Sequence, residues 1–202
     1  RGLHGLCLIG HGDWNDALDG VGRDGRGVSV WLSMALVWAA RKFGELALFR
    51  GDADSLRMMD QVIDDVTESI NRHAWDGSRY VYAFSSDGRP VGASSSEEGR
   101  LHLNVNAWAL FNGVAEAGGR VRALLETLDA VNTPLGSILI DPPYTARSRA
   151  QVGRIADQVP GQFENGAIYT HGQSFLTFGL ACLGEGDRAW AELKKLLPAS
   201  TL

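Results

Sequence analysis

Residues 54–72, DSLRMMDQVIDDVTESINR, give the clearest structural signal in the chain. Their apolar side chains alternate at intervals of three and four residues: Leu56, Met59, Ile63, Val66 and Ile70. This spacing places them on one face of an α-helix. Asp52 or Asp54 can cap its first turn. The stretch therefore predicts an amphipathic helix that packs one face against a core.

Helical patterns continue on both sides of this stretch. Residues 28–50 are apolar almost all round, which is typical of a helix buried between neighbours. Further helices are expected at 104–117, 120–131, 167–183 and 186–197. Residues 133–165 hold four of the six prolines and predict a long irregular segment, a type of segment that is usually functional.

One segment departs from the helical period. Tyr80, Tyr82 and Phe84 alternate with other residues, and Asp87-Gly88 is a turn signal, so residues 79–92 predict a β-hairpin between helices. The expected fold is mainly α with this small inserted hairpin. Paired helices favour an α/α toroid or a piece of one, and a helix bundle is the alternative.

Composition narrows the classes of partner. The 202 residues carry 19 Lys+Arg against 24 Asp+Glu, a net charge of −5, which argues against nucleic acid or an anionic membrane as partner. No apolar run approaches the length of a membrane span, and no signal peptide is recognised. Cys7 and Cys182 are interpreted as reduced core residues. We expect a cytoplasmic protein that needs no metal.

The first chemistry-bearing segment is His11-Gly12-Asp13-Trp14-Asn15-Asp16-Ala17-Leu18-Asp19, within a glycine-rich loop. Carboxylates, an amide and an indole suit a carbohydrate, because the indole stacks on the sugar ring while the polar groups bind its hydroxyls. Crowding of carboxylates raises one pKa, and such a carboxyl can serve as a general acid. A calcium-type oxygen loop or a solvated turn is the alternative.

Two further segments are polar at the start of predicted helices. In Gln162–Gly172, Glu164, Asn165 and His171 precede an apolar helix, where backbone N–H groups and an imidazole favour an anion. A structural histidine is the alternative for His171. In Glu97–Trp108, the asparagines are either functional or simple helix caps, and Trp108 is either functional or core.

Together these segments resemble the inverting phosphorylases of glycoside hydrolase family ninety-four, over nearly the whole chain. Its cellobiose, chitobiose and cellobionic acid phosphorylases share the motifs that match here. The matching stretches are Gly12–Asp16, Gly25–Gly27 with Ser29–Trp31, Trp75–Gly77 with the hairpin, Leu103–Trp108, and Glu164–Gly166 with Tyr169–His171. The resemblance implies that residues 1–202 are part of one (α/α)6 catalytic barrel domain, truncated at both ends.

The resemblance also implies roles for single residues. Asp16 takes the place of the general acid. Trp14 and Glu164 take the places of sugar-binding residues, with Asp13 as a structural or sugar-binding partner. His171 takes the place of a phosphate ligand, whose companion Arg and Thr-Gly residues are expected outside this chain. No metal or organic cofactor is implied, inorganic phosphate is a co-substrate, and a homodimer is expected.

Three positions depart from the family pattern. Val28 replaces a common Glu, Asn106 replaces the usual Gln, and Ala167 replaces the second Gly. These differences affect the pocket and leave the identity of the sugar open, but they do not affect Asp16 or His171.

The expected activity is phosphorolysis of a β-linked disaccharide or oligosaccharide, giving an α-sugar 1-phosphate and a shortened sugar. An inverting hydrolase needs a second carboxylate to activate water, whereas phosphate is already an anionic nucleophile. A hydrolase on the same barrel, or a catalytically incomplete carbohydrate-binding fragment, is the alternative.

Overall fold

The computed structural model describes residues 1–198, and they form a mainly helical fold with small antiparallel sheets. Its helices are α1 (Val30–Arg50), α2 (Ala53–His73), α3 (Leu103–Phe111), α4 (Val114–Ala117), α5 (Val121–Asp129), α6 (Arg149–Val152), α7 (Thr170–Cys182) and α8 (Gly186–Lys195). The prediction of a mainly α fold is confirmed. No helix within residues 1–198 is both long and apolar enough to cross a membrane.

Helix α2 confirms the amphipathic prediction. The Asp52 side chain accepts a hydrogen bond from the backbone N–H of Ser55, so Asp52 rather than Asp54 is the cap. Val66 and Ile70 are buried where α2 packs along α1. Gly51 alone separates α1 from Asp52, and such a short connection makes the two helices antiparallel neighbours.

Helix α1 differs from its prediction in two ways. It begins at Val30 rather than residue 28, because residues 28–29 form a strand. Its first half is buried or half-buried except at Ala39, but Phe43, Leu46 and Phe49 are exposed, so the expectation of a helix buried on all sides is wrong for the second half.

The predicted hairpin is confirmed and belongs to a larger sheet. Strands β3 (Ala83–Phe84) and β4 (Pro90–Val91) pair antiparallel, and β1 (Cys7–Leu8) and β2 (Val28–Ser29) complete a sheet in the order β1-β2-β3-β4. Ser29 pairs with Ala83. Because of this register, Ser29 and the neighbouring Tyr82 both approach the loop that connects β1 to β2.

Residues 133–165, expected to be irregular, contain helix α6 and contribute to two short strand pairs. The first joins β5 (Leu101–His102) to β8 (Ile140–Asp141), and the second joins β6 (Asn132–Thr133) to β7 (Gly136–Ser137). The sequence patterns did not predict these strands. The Leu139 N–H also binds the Ala167 carbonyl, Ile168 forms a β-bridge with Ile138, and Tyr169 is extended, so α7 begins at Thr170, three residues later than predicted.

Helices α1, α3 and α7 meet through aromatic side chains. Trp31 contacts Trp108 with ring centroids 5.1 Å apart, and Trp108 contacts Phe175 at 5.5 Å. Gly179 permits the close packing of α7 on α3, since a Cβ there would lie 3.0 Å from the Leu110 Cβ. These contacts fix the start of α7 relative to the loop between β1 and β2.

Candidate active site

The loop over residues 10–20 folds tightly upon itself. Gly12 has a φ of +146°, and a Cβ at this position would lie 2.8 Å from the Asp16 Cα. Glycine is therefore required for the close approach that brings the two ends of the Gly12–Asp16 stretch together. Asn15 is buried, and its side-chain oxygen accepts from the Ala17 N–H at 3.2 Å.

Asp13 points into the fold. Its carboxylate accepts hydrogen bonds from the Ser29 hydroxyl, the Tyr82 hydroxyl and, at 3.0 Å, the Asn15 backbone N–H. Ser29 also caps α1 by accepting from the Leu32 N–H at 2.8 Å. Asp13 thus connects the loop to the sheet and to the start of α1.

The environment of Asp13 changes its acidity. Burial raises the pKa of Asp13, while the hydrogen bonds from Ser29, Tyr82 and Asn15 partly oppose this effect. Burial, together with the Asp13 charge, raises the pKa of Tyr82 well above its usual value. We expected crowding of carboxylates to raise one pKa in this loop. The raised pKa at Asp13 has burial as its main cause instead.

Asp16 points towards solvent, only three residues beyond Asp13. Its side chain is 76% exposed, and a carboxylate oxygen lies 3.1 Å from the Arg154 guanidinium. The Arg154 guanidinium also donates to the Asp16 backbone carbonyl at 2.9 Å, and the Arg154 backbone N–H donates to the Asp19 carboxylate at 2.8 Å. Arg154 therefore connects the loop to the irregular segment.

Trp14 joins the two main sequence motifs. Its indole Nε1–H donates to His171 Nδ1 at 3.0 Å, across 157 positions of the chain. Its ring also makes edge contacts with Tyr169, His171 and Phe175, at centroid distances of 5.7, 5.3 and 5.9 Å. The structure thus brings Trp14 and His171 together as neighbouring side chains.

Glu164 lies on the same side as Asp16. Its carboxylate accepts from Gln158 at 2.9 Å and from the Tyr169 hydroxyl at 3.4 Å. Burial first, then the charges of Glu164 and Asp16, raise the pKa of Tyr169. Since Tyr169 also contacts the Trp14 ring, Glu164 lies beside the Trp14–His171 pair.

Asn165 has a different environment from Glu164. It is fully buried, donates to the carbonyls of Tyr144 and Gln158, and accepts from the Tyr144 N–H at 2.7 Å. These bonds hold the loop before α7 in place. Asn165 is thus an anchor, and Glu164 and His171 are the groups that this loop presents.

His171 lies in the first turn of α7 and is exposed. The residue before the helix, Tyr169, makes no side-chain capping bond. The first-turn N–H groups and the positive end of the helix dipole favour an anion beside the imidazole.

The third motif has a mainly structural role. Asn106 accepts from the Tyr80 N–H at 2.8 Å, and this bond connects α3 to the hairpin segment. Its amide also donates to the His102 carbonyl at 2.8 Å. The Asn104 amide lies near the Tyr82 phenol and slightly opposes its raised pKa. However, neither polar atom of Asn104 makes a hydrogen bond of ordinary geometry within residues 1–198.

The structure adds residues that sequence patterns did not single out as site partners: Ser29 and Tyr82 at Asp13, Arg154 at Asp16, and Gln158 at Glu164. The predicted site residues line none of four surface cavities formed by the described part of the chain. Within residues 1–198, no group of three or more His, Cys, Asp or Glu side chains is arranged to hold a metal ion.

Both cysteines of the chain are free. Cys7 is half-buried and Cys182 is exposed, so the expectation that both lie in the core is wrong.

Comparison with known proteins covers nearly the whole chain. Residues 1–201 match the family described as "Glycosyl hydrolase 94 superfamily, catalytic domain". The chain is 39% identical over 199 residues to a 3-O-beta-D-glucopyranosyl-beta-D-glucuronide phosphorylase of Paenibacillus borealis, covering 98% of this chain and 26% of that protein. It is 37% identical to a solabiose phosphorylase of the same organism, again covering 98% and 26%.

A more distant relative is the cellobionic acid phosphorylase of Neurospora crassa, 32% identical over 203 residues, which cover 100% of this chain and 25% of that protein. The chain therefore spans about a quarter of the length of these relatives.

Proposed function

The chain belongs to the Glycosyl hydrolase 94 superfamily, and on that premise we propose that it carries part of the active site of an inverting glycoside phosphorylase. The proposed reaction is phosphorolysis of a β-linked disaccharide or oligosaccharide. Its products are an α-sugar 1-phosphate and a shortened sugar. The relatives named as phosphorylases of glucosyl-glucuronide, solabiose and cellobionic acid support this class of substrate.

One observation carries the proposal: the Trp14 indole N–H binds His171 Nδ1 at 3.0 Å. This bond joins the loop that holds the proposed acid to the helix start that holds the proposed phosphate ligand. A phosphorolysis site needs those two groups at one sugar ring. No such contact is needed if the two motifs are merely a solvated turn and a structural histidine.

We assign the roles as follows. A phosphate oxygen attacks the anomeric carbon from one face of the sugar, and the glycosidic C–O bond breaks on the other face. The Asp16 carboxyl transfers its proton to the leaving glycosidic oxygen. Trp14 and Glu164 bind the sugar, and Asp13 holds the Trp14 loop in position from within the fold. His171 and the first turn of α7 bind phosphate.

Phosphate takes the place of a second catalytic carboxylate. An inverting hydrolase uses one carboxyl as acid and another to activate water, about 6.5–9.5 Å away. Phosphate is an anion already and needs no activating base. No metal or organic cofactor enters the proposed reaction, since phosphate is the co-substrate.

The test is to measure sugar 1-phosphate release from a panel of β-linked disaccharides, with and without inorganic phosphate, in the full-length protein. The panel includes cellobiose, cellobionic acid, chitobiose, laminaribiose and solabiose, together with β-1,2-glucans. Release that requires phosphate supports the proposal and names the sugar. Cleavage that proceeds equally without phosphate would assign the protein to the hydrolases, with Glu164 as the first candidate for the second carboxylate.

The same proposal extends to the setting of the site. Residues 1–202 form part of one (α/α)6 catalytic barrel domain, and the protein acts in the cytoplasm as a homodimer. Light scattering of the purified protein tests the dimer, and cell fractionation tests the location.

A further inference from the structure

The contact between Trp14 and His171 fixes the hydrogen on the imidazole. An indole nitrogen can only donate a hydrogen bond, so its partner must offer a lone pair. The Trp14 Nε1–H points at His171 Nδ1, 3.0 Å away. The ring is therefore neutral in this arrangement, with its hydrogen on Nε2 and its lone pair on Nδ1.

Packing holds the same ring in place. The Phe175 ring lies one helical turn further along α7, with its centroid 4.7 Å from the His171 ring. The Trp14 ring contacts both of them at 5.3 and 5.9 Å. His171 is an exposed residue, and its Nε2 makes no hydrogen bond with the described residues.

We propose that Trp14 is a positioning residue for phosphate: its indole N–H holds the His171 imidazole with Nε2–H outward, ready to donate to a phosphate oxygen. This inference rests on the proposed function, in which His171 binds phosphate. It gives Trp14 two separate tasks, because its ring contacts the sugar while its N–H orients the ligand of the other substrate.

The Trp14→Phe variant separates these tasks. Phenylalanine keeps an aromatic ring for the sugar and loses the N–H. We expect the KM for phosphate to rise about three- to tenfold, the usual contribution of one hydrogen bond, while the KM for the disaccharide changes less than twofold. Trp190→Phe, on the exposed side of α8, is the matched control and leaves both constants unchanged.

Nuclear magnetic resonance of ¹⁵N-histidine-labelled protein tests the orientation without any turnover. The His171→Gln variant identifies the His171 signals by their loss. In the wild-type protein at neutral pH we expect a single tautomer, with hydrogen on Nε2 and a hydrogen-bonded Nδ1. In Trp14→Phe the Nδ1 signal moves to that of an unbonded lone pair, and the second tautomer appears. Inorganic phosphate shifts the Nε2 signal in the wild-type protein.

The two arms distinguish two failures. Identical His171 spectra in wild-type and Trp14→Phe protein would overturn the positioning role, as would a raised KM for the disaccharide with an unchanged KM for phosphate. Wild-type protein that cleaves its substrate without phosphate would overturn the proposed function, whatever the spectra show.

Discussion

Asp13 and Asp16 lie three residues apart on one loop and meet opposite environments. Asp13 is turned inward and accepts three hydrogen bonds from the scaffold. Asp16 is turned outward: its side chain is 76% exposed, and its carboxylate pairs with Arg154. The loop before α7 divides in the same way, with Asn165 buried and Glu164 facing the site. Polar residues of one motif therefore alternate between anchoring the loop and presenting chemistry.

Substitution of the outward-facing Asp16 should have the greatest effect on activity. We predict that Asp16→Asn lowers the rate of phosphorolysis by about 10²–10⁴-fold, the usual contribution of a general acid. Its free energy of unfolding should change by less than about 1 kcal/mol, because an exposed ion pair contributes little. Initial rates and urea unfolding measure the two quantities.

Asp24→Asn is the matched control for Asp16→Asn, since Asp24 is another exposed aspartate paired with an arginine, at 2.8 Å from Arg26. It should leave the rate unchanged. If Asp16→Asn lost stability as well as activity, Asp16 would have a structural role like that of Asp13, and the contrast between Asp13 and Asp16 would fail.

The opposite result is expected at Asp13. Asp13→Ala leaves the hydroxyls of Ser29 and Tyr82 and the Asn15 N–H without their acceptor, and should lower the free energy of unfolding by about 2–3 kcal/mol. Asp13→Asn restores an acceptor oxygen and should recover part of this loss. Urea unfolding of both variants measures the difference. If Asp13→Ala were as stable as the wild-type protein, Asp13 would not be an anchor.

Two buried asparagines of α3 differ in their hydrogen bonds. Asn106 is bonded to Tyr80 and His102, whereas Asn104 has no bond of ordinary geometry within the described residues, although both are fully buried. We predict that Asn106→Ala costs about 1–2 kcal/mol more than Asn104→Ala, because only the former leaves buried partners unsatisfied. Thermal unfolding of the pair is the measurement, and equal losses would contradict it.

A buried histidine predicts a dependence on pH. Burial lowers the pKa of His102 to about 3 from 6.5. As the pH falls below 6.5, the unfolded chain binds a proton that the folded protein does not, so stability falls. The expected slope is about 1 kcal/mol per pH unit between pH 6 and 5, below the limit of about 1.4.

The variant His102→Gln isolates this contribution, because the raised pKa of Asp13 acts in the opposite sense: its folded form gains stability as the carboxylate is protonated. Urea unfolding at several pH values should give a flatter profile for His102→Gln. The same slope in both proteins would contradict the assignment.

Most of the helices could be predicted from the sequence, for reasons that particular residues show. The spacing of apolar residues from Leu56 to Ile70 is compatible only with a helix, and α2 matches the predicted bounds closely. The predicted helix over 104–117 is divided, since Gly113 has a φ of +82° and the Asn112 side chain, at the end of α3, accepts from the Val114 N–H. The Asn112-Gly113 pair is a signal of such a break that helical periodicity alone overlooks.

The site could be predicted only in part. The motifs identified Trp14 and His171, and the structure brings them into contact. The partners Tyr82 and Arg154 lie 69 and 138 positions from the loop residues they bind. Such contacts depend on strand register and on the path of an irregular segment, which no local periodicity encodes.

The most direct test of the account compares two leaving groups in Asp16→Asn. A disaccharide needs its leaving oxygen protonated, whereas a β-glycosyl fluoride carries a leaving group that needs far less help. We predict a loss of about 10²–10⁴-fold in phosphate-dependent turnover of the disaccharide. The loss should be less than about tenfold for the fluoride, because fluoride leaves with little help from a proton donor. An equal loss on both substrates would contradict the assignment of Asp16 as the proton donor and leave it a binding residue.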